Sequence, residues 1–342
     1  MSSQSNQRPV YSLVVPLFNE EAVLPILLHR LDKLMDRMDG PAEVIFVDDG
    51  STDTCSIVAA ARAKDDPRYR YIGFSRNFGH QIAITAGMDR AEGDCVIVMD
   101  ADLQDPPEVA LDMIAKWKEG YEIVYARRLS RDGESAFKLG TAKLFYKLLR
   151  KLTAVDIPEN VGDFRLVDRK ALEAFKAMPE RDRFVRGMFS WMGFRQTAVD
   201  FHRDARAAGV TKYGFKKMFR LATDGVVGFS DVPLKGALWL GAVVSIGAVV
   251  YGFYAALMAY IDPSVVRGWA SLVVLTSFFA GINLLTTGVV GLYVGRIHNE
   301  AKQRPLYIVG REVGFRKTSE KQQTSRMRRR QSDRIQPNRE AA

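Results

Sequence analysis

The chain of 342 residues is long enough for one large domain with an appendage, and 47% hydrophobic with 26% charged residues excludes a disordered protein. Of its formal net charge of +9, six units come from the stretch after Phe315, where nine Lys or Arg stand against three Asp or Glu. No nucleic-acid module accompanies that tail, and Cys55 and Cys95 are too few and too far apart for a disulfide framework or a metal cluster.

Residues 1–9 read as a flexible N-terminus. The apolar run from Tyr11 to Phe18 lacks the basic flank and the length of a signal peptide. Short segments rich in Val, Ile and Tyr follow at Tyr11–Val15, Glu43–Val47, Arg70–Phe74, Cys95–Met99 and Ile123–Tyr125. Their near-continuous apolar character suits strands covered on both faces. Helix-length periodic segments, such as Ala22–Met38 and Pro107–Glu119, lie between them. This alternation predicts an α/β fold with a mainly parallel sheet, whose ligands sit at the carboxyl ends of the strands.

Three acidic or Gly-bearing segments fall at those ends: Pro16-Leu17-Phe18-Asn19-Glu20, Asp48-Asp49-Gly50-Ser51, and Asp100-Ala101-Asp102. The last opens the run Asp100 to Pro107. Its carboxylates at i and i+2, with the amide oxygen of Gln104 at i+4, are hard oxygen donors suited to Mg²⁺ or Mn²⁺. An Asp before Pro-Pro-Glu also starts helices well, and Asp105 is expected to cap the helix that follows, which leaves Asp100 and Asp102 for the metal. The chain carries neither a Gly-x-Gly-x-x-Gly fingerprint nor a phosphate-binding Gly-Lys-Ser/Thr loop. The four histidines, His29, His80, His202 and His298, lack metal-ligand spacing and receive no role.

Further along, Ala136–Leu152 reads as an amphipathic helix, and strands are expected near Phe164–Val167 and Thr197–Phe201. Lys212–Phe229 reads as a basic-apolar interfacial helix. Leu234–Ile261 and Trp269–Val294 hold a single charge, Lys235, and each exceeds the roughly 20 residues that cross a bilayer. Lys and Arg on both outer flanks put both ends on the cytoplasmic side. The basic tail then lies against anionic headgroups. Glycines from Gly281 to Gly295 offer a face on which copies of the helices could pack, so a homo-oligomer stays open.

The acidic segments, with Phe74-Ser75-Arg76-Asn77-Phe78-Gly79, Gly162-Asp163-Phe164-Arg165-Leu166 and Arg203 to Lys212-Tyr213, resemble the family-2 glycosyltransferases of the GT-A (Rossmann-like) fold. With the two-span anchor and Arg304-Pro305-Leu306-Tyr307, the chain looks like the polyprenyl-phosphate branch. It is most similar to bacterial bactoprenol glucosyltransferases and more distantly to dolichol-phosphate mannose synthases. Phe18 stands where many relatives carry Tyr, and the Gln-x-x-Arg-Trp signature of processive synthases is absent.

The resemblance implies a cytoplasmic GT-A domain over 10–210, a juxtamembrane region at 211–231, and two transmembrane helices within 232–296. A segment returning to the catalytic domain follows at 297–315, and a disordered basic tail at 316–342. It implies that Pro16, Phe18, Glu20, Asp48 and Asp49 line the nucleotide pocket, with Arg206 and Lys212 closing over the donor diphosphate. Asp100, Asp102 and Gln104 match the metal and diphosphate site, and Asp163 the carboxylate near the acceptor. Arg127, Arg131 and Arg203 match the region that meets the lipid phosphate. The implied reaction moves a hexose, on resemblance glucose from UDP-glucose, to undecaprenyl phosphate with inversion at an inner or plasma membrane. GDP-mannose or a UDP-amino sugar as donor, and a non-catalytic sugar-nucleotide sensor or scaffold, are the alternatives.

Overall fold

The computed structural model describes residues 8–129, 161–202, 230, 232–261 and 268–315. The expected helices at Ala136–Leu152 and Lys212–Phe229 lie outside them, as do Arg131, Arg203, Arg206 and Lys212. The chain runs β1 (Tyr11–Leu17), α1 (Leu24–Arg37), β2 (Ala42–Asp48), α2 (Cys55–Asp65), β3 (Tyr69–Phe74), α3 (His80–Arg90), β4 (Cys95–Val98), α4 (Val109–Lys118) and β5 (Ile123–Arg128). It continues through β6 (Val161–Asp168), α5 (Arg169–Ala177), α6 (Val185–Trp191), β7 (Gln196–Phe201), α7 (Val232–Ile261), α8 (Trp269–Ala301) and β8 (Val309–Val313).

All eight strands form one sheet in the order β7-β5-β6-β4-β1-β2-β3-β8. Its centre, β4-β1-β2-β3, is parallel. β6 runs antiparallel to β4 and β5, and β8 antiparallel to β3. β1 is buried along its whole length because both faces are covered. Leu13, Val15 and Leu17 pack with α1, α2 and α4, whereas Val14 packs with α3, α5 and α6. The two-residue alternation thus feeds two cores from one strand. α3 lies so close to β1 that a Cβ on Gly87 would fall 2.2 Å from Val14 Cγ1.

The α/β reading holds, with three differences. Asp105 does not cap α4. The N-cap is Glu108, because Pro106–Glu108 first make a turn in which Val109 N–H reaches the Pro106 carbonyl. Asp105 is instead buried against Arg128, its carboxylate accepting from Nη2 at 3.1 Å. α8 runs on past Val294 to Ala301, since a helix needs no apolar side chains where it emerges among polar ones. β8 was not anticipated from the sequence. α7 and α8 are long and apolar enough, by length and composition, to cross a membrane, and their apolar side chains are exposed.

Candidate active site

The carboxyl ends of β1, β2 and β4 carry the three acidic segments to one edge of the sheet. The loop after β1 turns at Asn19, whose φ of 56° is one that Asn tolerates. Its amide proton goes to Ser51 Oγ at 3.0 Å, and its Oδ1 accepts from the Thr52 N–H at 2.8 Å. Glu21 and Thr54 repeat this exchange two residues on, with Asp53 accepting from the Glu21 N–H. The loops after β1 and β2 are therefore laced together. Phe18, at 44% exposure, projects from this rim, while Pro16 lies buried in β1. Glu20 carries the first turn of α1, its carbonyl accepting from Val23 and Leu24.

Asp48 and Asp49 are both buried and internally partnered. Asp48 accepts from the Ser51 N–H at 3.0 Å and the Tyr71 hydroxyl at 2.9 Å. Asp49 accepts from the Phe78 N–H at 2.6 Å and the Gly79 N–H at 2.9 Å. Burial raises its pKa against the pull of those two amides. Gly50 has φ +74°, and a Cβ there would meet the Arg76 carbonyl carbon at 2.7 Å, so this turn requires glycine.

After β4 the chain makes a tight acidic turn. Leu103 sits at φ 56°, a left-handed conformation that costs a branched residue about 1–2 kcal/mol. Asp102 Oδ1 accepts from the Gln104 N–H at 3.1 Å. Asp100 Oδ1 lies 3.3 Å from His80 Nε2 and, like Gln104 Oε1, is buried without a hydrogen bond. A carboxylate oxygen facing His80 and an amide oxygen without a hydrogen bond, four residues apart, are hard donors of the kind a divalent cation takes. Among the described residues no three His, Cys, Asp or Glu gather into a complete metal cage.

Asp163 completes the site. β6 runs antiparallel to β4 with Arg165 opposite Val98, so the residue two earlier passes the end of β4 and stands near Asp100. Its side chain is buried and gripped from three elements. Arg186 of α6 donates Nε to Oδ1 at 2.8 Å and Nη2 to Oδ2 at 3.2 Å. Gln81 Nε2 donates to Oδ2 at 3.1 Å, while its Oε1 accepts from the Val185 N–H. His80 Nε2 stands 3.3 Å from Oδ2, the same distance it keeps from Asp100. The buried Arg165 guanidinium lies 3.6 Å from Oδ1, and burial pushes its pKa down to about 10. Burial opposes ionisation of Asp163, but the charge of Arg186 and the hydrogen bonds of His80 and Arg186 prevail and hold its pKa well below the carboxylate range. Desolvation opposes protonation of His80, though its side chain is 46% exposed, and the two aspartates outweigh it, holding its pKa well above the ordinary value.

The structure thus gathers Asp100, Gln104 and Asp163 with His80, Gln81, Arg165 and Arg186, four residues that the sequence reading left without a role. His80 directly follows the Phe74–Gly79 motif, a signal one residue away. Arg186 lies 23 residues from Asp163 and has no comparable cue. Arg127 is exposed at the end of β5 and bound to Asp200 of β7 at 2.6 and 2.9 Å.

The sequence pattern described as "Glycosyl transferase family 2" matches residues 12–175, the stretch from β1 to α5. An uncharacterized glycosyltransferase of Bacillus subtilis, YkcC, is 51% identical over 305 residues, covering 89% of this chain and 94% of the relative. The chain belongs to glycosyltransferase family 2. The transferase is also 41% identical to the prophage bactoprenol glucosyl transferase homolog of Escherichia coli, over 88% of this chain and 98% of that one. A solved structure of glucosyl-3-phosphoglycerate synthase from Mycobacterium tuberculosis is 19% identical, covering 64% of this chain and 78% of that one at a TM-score of 0.43. The mostly parallel sheet flanked by helices is the GT-A fold of this family.

Proposed function

We propose that this transferase moves a hexose from a nucleotide-sugar onto the phosphate of a polyprenol lipid, with glucose from UDP-glucose as the leading donor. The observation that carries the reading is the engagement of Asp163. A sugar-hydroxyl acceptor needs a free base, and both carboxylate oxygens of Asp163 are engaged by Arg186, His80 and Gln81. A phosphate monoester, with a second pKa of about 6, is already mostly a dianion at neutral pH and needs no strong base. It needs cations, and Arg165 and Arg186 supply fixed positive charge beside the acidic turn. The relative named a bactoprenol glucosyl transferase homolog and the two apolar helices support the lipid acceptor.

Asp100, Asp102 and Gln104 would hold Mg²⁺ or Mn²⁺. The ion, when bound, supplies the charge that stabilises a nucleoside-diphosphate leaving group. Asp48 and Asp49 act through the loops they tie down, so that Pro16, Phe18 and Glu20 line a preformed nucleotide pocket. Arg206 and Lys212 close over the donor, and Arg127, Arg131 and Arg203 meet the lipid phosphate. Attack on the anomeric carbon by one nucleophile inverts it. α7 and α8 anchor the catalytic domain on the cytoplasmic side of the membrane, with the basic tail against anionic headgroups.

The test uses purified full-length protein in detergent with undecaprenyl phosphate, Mg²⁺ or Mn²⁺, and a panel of radiolabelled UDP- and GDP-sugars. Label entering the lipid from one donor, and lost in Asp102→Ala, is the expected result. Donor binding without transfer from any sugar would replace this reading with that of a sugar-nucleotide sensor.

A further inference from the structure

The end of α8 reaches both sides of the Asp163 cluster. On one side Glu300, in its last turn, accepts the Arg181 N–H at 2.7 Å. Arg181 belongs to the short segment that leads into α6, and α6 carries Arg186 to Asp163. On the other side, six residues beyond Ala301, Tyr307 stacks on Phe74 with centroids 5.2 Å apart and planes 22° apart. Its hydroxyl donates to Asp89 at 3.2 Å. Phe74 in turn meets Phe78 edge-on at 5.6 Å. The Phe78 and Gly79 amides hold Asp49, and the next residue is His80, poised between Asp100 and Asp163.

We propose that Glu300 and Tyr307 are positioning residues, through which the end of α8 sets the two arms that meet on Asp163. Closing the sheet edge does not require this arrangement. β8 satisfies the edge of β3 by itself, whereas the aromatic contacts continue past the strand into the 75–80 loop. Within that loop Ser75, Arg76 and Asn77 are exposed, and the Arg76 guanidinium lies over the Phe78 ring at 4.0 Å. Its backbone is tied at one end by the Gly79 carbonyl to the first turn of α3 and at the other by the Ser75 N–H to the Ile308 carbonyl at 3.0 Å, the latter again from the returning segment. The link from helix end to loop is short, so a shift of α8 is passed to the loop with little slack. The consequence for the transferase is that donor-side geometry depends on a helix that is itself apolar enough to sit in lipid.

Hydrogen–deuterium exchange on the full-length protein in detergent tests this without knowledge of the donor. Tyr307→Phe keeps the ring and should stay within about twofold of the wild type, while Tyr307→Ala should speed exchange of the Phe78 and Gly79 amides about tenfold. Tyr307→Leu, which keeps apolar volume but not the stack, should behave like the alanine variant and decides the matter if that variant does not fold. Glu300→Ala should loosen the 181–186 segment and leave 75–80 as it was. Unchanged exchange at 75–80 in both Tyr307→Ala and Tyr307→Leu would overturn the proposal. So would an equal rise across β1 and α1, which marks general loosening. The kinetic arm rests on the function proposed above: in Tyr307→Leu the donor KM should rise by more than kcat falls. A wild type that transfers no sugar sinks that function, while the exchange result still decides the role of Tyr307.

Discussion

Replacing Asp163 by Asn separates an orienting carboxylate from a proton-abstracting one. The substitution keeps shape and removes charge, leaving the Arg186 fork and the buried Arg165 without their shared counter-ion. Breaking a buried ion pair by removing one partner costs about 3–5 kcal/mol. If about 3 kcal/mol of this falls on the transition state, kcat/KM drops about 150-fold. The sign of the pH dependence follows from the phosphate. Below its second pKa of about 6 the acceptor carries a proton that a base would have to take, and above it there is none. An orienting Asp163 predicts a deficit that stays constant from about pH 5.5 to about pH 8.5, spanning that pKa. Initial rates of labelled sugar entering the lipid, measured for both proteins at each pH, give the ratio directly. A mutant that recovers wild-type activity above about pH 7, where the phosphate is deprotonated, would refute the reasoning and make Asp163 the base. Arg186→Lys, which loses the two-pronged geometry, should show the same flat profile with a smaller deficit.

Three further outcomes concern the scaffold. Arg128→Met removes the guanidinium that donates to the buried Asp105 carboxylate and should lower stability by about 1.5–3 kcal/mol, with Asp105→Asn in the same chain restoring part of it in thermal unfolding. Gly87→Ala drives a methyl into Val14 and should cost about 1–3 kcal/mol, relieved by Val14→Ala; an unchanged melting temperature would mean that α3 is not seated on β1 as described. Burial raises the pKa of Glu43, against the opposing pull of Arg70 and Ser12. The folded state therefore holds that proton more tightly than the unfolded chain. Stability falls as pH rises from the ordinary carboxyl range through the raised value. Denaturant titrations across that window should show the slope, and Glu43→Gln should flatten it.

The parallel centre of the sheet was legible because each of its strands announces itself locally. Tyr11–Val15 or Glu43–Val47 needs only its own apolar run, and the acidic turn after β4 follows from where that run stops. The cluster on Asp163 was not, because it is made by convergence. His80 arrives at the start of α3, Arg186 on the seven-residue α6, and no period in the sequence links them. Asp105 misled for a related reason: an Asp before two prolines looks like a cap, and only the packed structure brings Arg128 beside it. β8 escaped because a five-residue edge strand reading Val-Gly-Arg-Glu-Val has charges where a buried strand would have apolar groups.

The pairing of β3 with β8 also has a meaning in time. β3 ends at Phe74 and its edge partner begins at Val309, 235 residues later. At the usual pace of synthesis, about 5–20 residues per second, the edge of β3 stands open for about 12 to 47 seconds while everything from α3 to α8 is being made. By the end of that interval the nascent domain has seven strands and its acidic turn but not yet Tyr307 on Phe74. A strand made late thus completes one made early, and a chain stopped before α8 would be born with an unfinished edge.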